Sequence, residues 1–365
     1  MICVFAVVAI AQLSAGVSRQ HREEDVSFRS GTNTLAGTIS LPAGAGLFPA
    51  VVLLSGSGPQ NRDSELGGFR PFKLIADHFV KRGIAVLRFD DRGVGGSTGN
   101  LFKSTTEDLA DDALAAVRTL RARREIDGRR VGLVGHSEGA IVAAVAAARS
   151  SEVAFIAWLA GNTVSGDEIL RMQAEGMARG AGASPSAIEE ILQLHGALMT
   201  AVKEEASAET LTPLARTLMV AQLGAAGRAP GAEIGEPDPR SEQLLAQSVA
   251  MLQTPWMRFF VGFDPSAVLR RVTCPVFAAF GGRDVQVPQA VNRARLEEAL
   301  KDAGNQHVTV KIYPEANHLF MHAITGQPAE YATLPKAFVP SFLDDIAAWV
   351  DSHGAPATTR QPFVH

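Results

Sequence analysis

Six short apolar runs constrain the fold of this chain more than any other feature of its sequence. They are rich in Val, Ile and Phe and lack strict polar alternation, which suits strands covered on both faces, as in a parallel sheet. The runs are "PAVVLLSG", "IAVLRFDDRG", "RVGLVGHS", "VAFIAWLAG", "CPVFAAFGG" and "HVTVKIYP". Helices are predicted between most of them, at residues 69–81, 106–121, 140–149, 288–303 and 340–351. This succession predicts an α/β fold with a doubly wound, mostly parallel central sheet.

Two segments depart from the succession. Residues 25–41 alternate around a Gly31-Thr32-Asn33 turn, which predicts an N-terminal β-hairpin. Residues 162–254 contain no further core strand, although connections in such folds usually take about 2–6 residues. Three amphipathic pieces and a Gly/Pro-rich break at residues 224–239 predict that this stretch is a helical insertion that caps the sheet.

The two ends of the chain differ from the rest. The first residues, "MICVFAVVAIAQLSAG", have the length and apolar character of a secretory signal, which predicts a periplasmic or secreted protein. No Lys or Arg precedes the run, so a misassigned start and a cytoplasmic protein remain the alternative. Val17 stands where a lipoprotein would need its lipidated cysteine, so no membrane anchor is predicted. The predicted organisation is a signal peptide at 1–18, a core in two parts at 25–161 and 255–353, a helical cap at 162–254 and a flexible tail at 354–365.

Charge and cysteine content exclude several function classes. The formal charge is −4 and no Lys/Arg cluster is interleaved with aromatics, so nucleic-acid binding is not expected. Neither Cys3 nor Cys274 has a metal-ligand neighbour at useful spacing, so no metal is predicted. The glycines of "RFDDRGVGGSTG" fail the dinucleotide fingerprint because its third glycine would fall on Thr98, and no cofactor is predicted.

The stretch "GHSEG", residues 135–139, fits the pattern G-x-S-x-G between a predicted strand and a predicted helix. A strained turn in this position exposes the serine hydroxyl, and the flanking glycines avoid collisions between a Cβ and nearby backbone. The serine also lies at a helix N-terminus, which favours negative charge nearby. We therefore predict Ser137 as a nucleophile; the alternative is a tight turn with a capping serine.

A serine nucleophile needs a base, and the base needs a carboxylate that fixes its tautomer. In this fold the acid and then the histidine should follow the serine, at the ends of later strands. Asp284 and His318 occupy those positions and are the predicted acid and base. The alternatives are His322 as the base and Asp264, Glu315, Asp90 and Asp91 as the acid. His136 adjoins the nucleophile and is not expected to reach back to it.

The reaction also needs donors for the negative oxygen of a tetrahedral intermediate. We predict the backbone N–H of Glu138 and that of Ser57, with Gly58 as the alternative to Ser57. The Asp90-Asp91-Arg92 segment is assigned a structural role, in which Asp90 and Arg92 pair beneath the active-site loops.

Taken together, "SGSGPQNRD", "DDRGVGGSTG" and "GHSEG" resemble, in this order, motifs of bacterial esterases of the α/β-hydrolase superfamily. The resemblance extends over residues 28–350 except the insertion. It implies hydrolysis of small-molecule carboxylic esters with short or medium acyl chains through an acyl-enzyme, with Ser137, Asp284 and His318 as triad. A peptidase or thioesterase on the same triad, and an inactive hydrolase-like binding protein, remain alternatives. The sequence leaves the oligomeric state open.

Overall fold

The computed structural model describes residues 21–225 and 239–353. The predicted signal peptide, the tail and most of the Gly/Pro-rich break lie outside these residues. The strands are β1 (Arg22–Ser30), β2 (Asn33–Leu41), β3 (Phe48–Leu54), β4 (Ala85–Phe89), β5 (Ile126–His136), β6 (Ile156–Leu159), β7 (Val276–Gly281) and β8 (Val308–Tyr313). The helices are α1 (Pro71–Lys81), α2 (Thr106–Arg121), α3 (Glu138–Arg149), α4 (Gly166–Gly180), α5 (Pro185–Lys203), α6 (Ala208–Ala225), α7 (Pro239–Leu252), α8 (Pro255–Gly262), α9 (Pro265–Leu269), α10 (Gln289–Asp302) and α11 (Phe342–His353).

The eight described strands form one sheet in the order β1-β2-β4-β3-β5-β6-β7-β8. β1 and β2 form the predicted hairpin, which turns at Gly31 with φ of 54°, and β2 pairs antiparallel with β4. All other neighbouring strands are parallel. The carboxyl ends of β5, β7 and β8 therefore meet at one edge of the sheet, where loops from different strands can converge.

Apolar cores cover both faces of the sheet, as the absence of alternation predicted. One face packs against α2, α3, α9 and α10, and its core includes Leu133 on β5. The other face packs against α1 and α11, with Val134 pointing into that core. Consecutive residues of β5 thus enter opposite cores, which is why a polar alternation is absent there.

Between β6 and β7 the chain builds α4 to α9, and we call α4 to α8 the inserted helices. The amphipathic pieces predicted there form α4, α5 and α6, whereas the sequence did not indicate α7, α8 or α9. The inserted helices have an apolar core of their own that includes Ile191, Leu218 and Val249. Within the described ranges, no helix combines the length and hydropathy needed to cross a bilayer.

Candidate active site

Ser137 stands at the turn between β5 and α3. Its backbone has φ of 55° and ψ of −121°, a conformation that is strained for a residue with a Cβ and that clusters at functional sites. Its N–H donates to the carbonyl of Leu159 on the neighbouring strand β6 over 2.8 Å, which fixes the turn to the sheet. The side chain is half-buried and lies at the N-terminus of α3.

The two glycines that flank this turn permit a very close approach of backbone segments. A Cβ on Gly135 would lie 2.0 Å from the carbonyl oxygen of Gly139. A Cβ on Gly139 would lie 2.2 Å from the carbonyl oxygen of Leu54 at the end of β3. The first neighbour belongs to α3 and the second to β3, so neither can withdraw without disturbing the elements that hold the turn, and both positions require glycine.

Asp284 and His318 lie together at the same edge of the sheet. Nδ1 of His318 is 2.8 Å from Oδ2 of Asp284, and both side chains are buried. The other carboxylate oxygen of Asp284 accepts hydrogen bonds from the N–H groups of Gln286 and Val287, each over 2.8 Å. Because a carboxylate accepts and does not donate, Nδ1 of His318 carries a proton, and in the neutral ring the acceptor lone pair is then on Nε2.

Ser137 and His318 line one cavity of about 690 Å³ that lies between the sheet edge and the inserted helices. No hydrogen bond joins Ser137 Oγ to His318 Nε2 in this structure, a contact that often tightens only when substrate binds. Gly56 lies against the serine, since a Cβ on Gly56 would be 3.1 Å from the Cβ of Ser137. The hydroxyl of Ser137, the imidazole of His318 and the loop that contains Gly56 therefore line the same cavity.

His136 lies beside the imidazole of His318, a contact that sequence reasoning missed. Its Nε2 is 2.8 Å from the carbonyl oxygen of His318, and the two ring centroids are 4.7 Å apart. Burial, with the nearby His318, lowers the pKa of His136 to about 3, so this ring is neutral and donates through Nε2–H. The residue preceding Ser137 therefore ties the His318 loop to the serine turn.

The loop after β3 brings backbone N–H groups to the site. Gly56, Ser57 and Gly58 line the cavity beside Ser137. Neither the N–H of Ser57 nor that of Glu138 donates to another described residue, and the first N–H groups of a helix have no partner within it. Ser57 and Glu138 are joined directly, since the Ser57 hydroxyl donates to Glu138 Oε2 over 2.9 Å.

The carboxyl of Glu138 connects three parts of the molecule, whereas sequence reasoning considered only its backbone. Besides Ser57, it accepts hydrogen bonds from the Thr106 hydroxyl over 2.9 Å and from the Trp256 indole over 3.1 Å. Burial raises the pKa of Glu138, and these three hydrogen bonds oppose that rise. The side chain therefore links the β3 loop, the start of α2 and the inserted helix α8. No local sequence pattern marks such a contact, because its partners lie 32, 81 and 118 residues away.

Comparison with known proteins identifies the family of this chain. The sequence profile of the Alpha/beta hydrolase family matches residues 51–334. This chain belongs to the α/β-hydrolase family. The hydrolase is 30% identical to esterase EstD of Thermotoga maritima over 337 residues, which cover 90% of the chain and 67% of that relative.

Solved structures show the same fold for the hydrolase. An esterase of Pyrococcus furiosus superposes with a TM-score of 0.53 at 17% identity, covering 91% of this chain and 90% of the other. The α/β hydrolase GrgF from Penicillium sp. sh18 gives 0.55 at 19% identity, covering 92% and 100%. The predicted family and the predicted mostly parallel α/β fold are thereby confirmed.

The alternative acids and the alternative base of the hydrolase lie in other surroundings. Asp264 caps α9, where it accepts from the N–H of Ser266 over 2.9 Å. Glu315 pairs with Arg283 at a distance of 2.5 Å, and His322 is exposed. None of the three contacts the Asp284–His318 pair through a hydrogen bond.

The predicted pairing of Asp90 with Arg92 is wrong. Asp90 binds Arg62, with 2.8 Å between Asp90 Oδ2 and Arg62 Nη2, and Arg92 binds Asp112 at 2.6 Å. The turn after β4 directs the two adjacent side chains to different partners, which adjacency in sequence did not reveal. The remaining alternative, Asp91, is buried and accepts from the Ser55 hydroxyl, so it supports the loop after β3.

One group of potential metal ligands occurs in the described part of the hydrolase, apart from the active-site cavity. Ligand atoms of His21, Glu23 and Asp77 lie within 4.8 Å of one another. Glu23 is already paired with Arg88 and Asp77 with Lys73. These cations balance the carboxylates, so the group has no unmatched negative charge with which to attract a metal ion.

Proposed function

We propose that this hydrolase is a serine esterase that cleaves carboxylic esters of small molecules with short or medium acyl chains. The observation that carries the proposal is the 2.8 Å contact of Asp284 Oδ2 with Nδ1 of His318, a residue that lines the same cavity as Ser137. That arrangement supports the assignment of base, acid and nucleophile. The relatives named esterases support the reaction class.

In the proposed first step, His318 Nε2 takes the proton of the Ser137 hydroxyl as the oxygen attacks the ester carbonyl. Asp284 holds the imidazole in the required tautomer and stabilises the imidazolium that forms. The imidazolium then protonates the leaving alcohol, and an acyl-enzyme remains on Ser137. Water, deprotonated by the same imidazole, attacks the acyl group and releases the acid.

The negative oxygen of each tetrahedral intermediate is assigned to the N–H groups of Glu138 and Ser57, with Gly58 as the alternative to Ser57. Two features support this assignment: neither N–H donates to another residue of the described ranges, and the hydroxyl of Ser57 is anchored to the carboxyl of Glu138. The dipole of α3 points its positive end toward the same region. Removing one such donor in other enzymes costs about 3 kcal/mol of transition-state stabilisation.

The test is Ser137→Ala, assayed with p-nitrophenyl acetate and butyrate beside Ser186→Ala, an exposed serine on α5. We expect Ser137→Ala to lose at least about a thousandfold in kcat, by analogy with other triads. Its circular dichroism should stay unchanged, and a fluorophosphonate probe should label the wild type and Ser186→Ala only. Unchanged turnover in Ser137→Ala would refute the assignment. Failure of the wild type to label would favour an inactive binding protein.

A thioesterase or a peptidase would use the same triad, so the substrate class needs its own measurement. A panel of esters, thioesters and aminoacyl amides with matched acyl groups separates the three classes by kcat/KM. We expect kcat/KM to be highest for the esters. We also propose export through residues 1–18, which a reporter fused after residue 18 would test.

A further inference from the structure

The active-site cavity has two kinds of wall. Helix α8 supplies apolar side chains such as Trp256 and Met257. Three polar side chains from separate elements also line the cavity: Gln173 on α4, Gln286 in the loop after β7, and Tyr331 between β8 and α11. We call these three residues the polar triplet. The proposed triad and the proposed oxyanion donors include none of them.

Hydrogen bonds hold the polar triplet together. Gln286 Nε2 donates to the Tyr331 hydroxyl over 2.7 Å, and Gln173 Nε2 donates to the Gln286 carbonyl over 3.2 Å. The backbone of Gln286 is fixed in turn, because its N–H donates to Asp284 over 2.8 Å. The segment that carries Tyr331 is held against α4, since Gln327 Nε2 donates to a carbonyl of that helix over 3.0 Å. The triplet is therefore held in place by several elements of the fold.

These hydrogen bonds leave three polar atoms of the triplet unused. The amide oxygens of Gln173 and Gln286 and the phenolic hydrogen of Tyr331 have no partner among the described residues. Tyr331 is 8% exposed. Burial and the nearby charge of Asp284 raise the pKa of Tyr331, so its phenol stays protonated and remains a donor. A buried donor or acceptor without a partner is costly, so this group of atoms indicates a polar ligand.

The unused atoms also indicate the chemistry of that ligand. A hydroxyl group both donates and accepts, so it can satisfy a phenolic O–H and an amide oxygen. Among the described residues that line the cavity there is no Lys or Arg, so a phosphate or carboxylate would be desolvated without a charged partner. Glu65 is the one carboxylate in that lining, and it lies 3.7 Å from Arg70, which balances its charge. The lining therefore suits an uncharged ligand that carries hydroxyl groups.

The position of the triplet relates it to the alcohol part of an ester. In the proposed mechanism the imidazole of His318 protonates the leaving alcohol, so the oxygen of that alcohol lies next to His318 during the reaction. The triplet adjoins the same imidazole through Asp284, whose two carboxylate oxygens accept from the Gln286 N–H and from His318 Nδ1. The alcohol part is thus the part of the substrate that lies nearest to the triplet.

We propose that the polar triplet is a subsite for hydroxyl groups on the alcohol part of the ester, and that the substrates are esters of an uncharged polyol such as glycerol or a sugar. This inference rests on the esterase function proposed above. A site built to bind a hydroxyl discriminates against an analogue that lacks it, because the polar groups of the site are then left unpaired. The inference therefore predicts a preference that can be measured.

The experiment compares esters that share an acyl group and differ in the hydroxyls of the alcohol. One pair is glycerol 1-butyrate and propyl butyrate, and the other is glucose 6-butyrate and tetrahydropyran-2-ylmethyl butyrate. Release of butyric acid, followed by titration at constant pH, gives kcat/KM. Tyr331→Phe removes the phenolic O–H of the triplet. In the matched control, Tyr313→Phe, the same group is removed from the other tyrosine of the chain, whose hydroxyl binds Asp345 and which does not line the cavity.

We expect the wild type and Tyr313→Phe to prefer the hydroxylated member of at least one pair by about tenfold or more in kcat/KM. Tyr331→Phe should lower that preference by about fivefold or more, because one hydroxyl loses its donor. Gln173→Met removes an amide oxygen at similar side-chain length. It should also lower the preference, and it decides the question if Tyr331→Phe does not fold. The pair with the larger preference identifies the alcohol as glycerol or a sugar.

Two results would overturn the inference. One is equal kcat/KM for the two members of each pair in the wild type. The other is an equal loss on both members in Tyr331→Phe, because a residue with a purely structural role affects both esters alike.

A binding measurement separates this inference from the esterase function. The ethers 3-butoxypropane-1,2-diol and 6-O-butylglucose carry the same hydroxyls and cannot be hydrolysed as esters. By titration calorimetry, we expect one of them to bind Tyr313→Phe about fivefold or more tightly than Tyr331→Phe. Lack of turnover of every ester by the wild type would refute the esterase function, and ether binding would still decide the subsite. Equal affinities of the two variants for both ethers would then overturn the inference.

Discussion

The sheet and the inserted helices contribute to the same cavity in different ways. The sheet edge supplies Ser137, Asp284 and His318, held by strained backbone, backbone hydrogen bonds and two fully packed cores. The inserted helices supply apolar walls such as Met257, and they pack around a separate core. The comparison indicates that the proposed chemistry depends on the sheet edge, while the inserted helices contribute walls to the active-site cavity.

The largest effect is expected from a substitution at the sheet edge that leaves the size of the side chain unchanged. Asp284→Asn keeps the size of the side chain but can no longer accept from His318 Nδ1–H as a carboxylate does, so the imidazole adopts the wrong tautomer. We expect a loss of about 10⁴ in kcat on p-nitrophenyl butyrate, by analogy with the same change in another triad.

The matched control is Asp264→Asn, since Asn caps a helix as well as Asp does. Asp264 caps α9 and was an alternative acid in the sequence. Its asparagine variant should retain wild-type activity. Equal losses of activity in both variants would mean that Asp284 is not the acid of the triad.

The next test asks whether the core of the inserted helices unfolds independently of the cores of the sheet. Leu133→Ala on β5 and Ile191→Ala on α5 both truncate a buried side chain, with 0% and 1% exposure, and each should cost about 2–5 kcal/mol locally. Leu133→Ala should lower the free energy of unfolding of the whole sheet. Ile191→Ala should speed hydrogen exchange in α4 to α7 and leave the strands protected. Uniformly faster exchange in both variants would show that the two cores unfold as one unit.

Much of the sheet side was predictable from sequence, because its signals are local. The apolar runs, the glycines beside Ser137 and the order of acid and base along the chain are sufficient to propose the triad. The inserted helices were harder to predict from the sequence. Pro239 ends the Gly/Pro-rich stretch that predicted a break, yet it begins α7, where a missing N–H costs nothing. The partners of Asp90 and Glu138 depend on tertiary packing, which no spacing in the sequence encodes.

Disrupting the contact that Glu138 makes between the sheet and the inserted helices should have a smaller effect. Glu138→Gln retains one acceptor oxygen and adds an N–H₂, so it cannot accept from Ser57, Thr106 and Trp256 together. We expect kcat/KM to fall about tenfold, because the Ser57 N–H is less well positioned. Trp256→Phe should produce part of the same loss, and the double variant should lose less than the product of the two.

Glu107→Gln is the surface control for that measurement, since Glu107 lies beside Thr106 on α2 and is exposed. It should leave kcat/KM unchanged. A Glu138→Gln enzyme with activity within twofold of the wild type would show that the sheet edge positions its donors without help from the inserted helices.

The smallest expected effect is on the pH dependence of the free energy of unfolding, and it involves Asp91, in the turn after β4. Burial raises the pKa of Asp91 to about 7, so the folded state holds this proton more tightly than the unfolded chain does. The stabilising contribution is full at pH below about 4 and is lost as pH rises through 7. Asp91→Asn cannot ionise, so between pH 5 and 8 it should lose less unfolding free energy than the wild type does. The difference should exceed about 1 kcal/mol, because each tenfold change in protonation ratio is worth about 1.4 kcal/mol.

Urea unfolding at pH 5 and pH 8 measures that difference directly. Asp111→Asn on the exposed face of α2 is the control and should follow the wild type at both pH values. Parallel behaviour of all three proteins would mean that Asp91 is ionised throughout the range and that its hydrogen bonds to Ser55 and Gln60 outweigh its burial.

The hydrogen bond from His136 to the carbonyl of His318 spans 182 residues of sequence. During synthesis on the ribosome the serine turn can form long before its imidazole exists, so the nascent polypeptide carries a hydroxyl with no base beside it. If the proposed triad carries the reaction, hydrolysis can begin only once β8, the last described strand, has joined the sheet and brought His318 to the cavity that Ser137 lines.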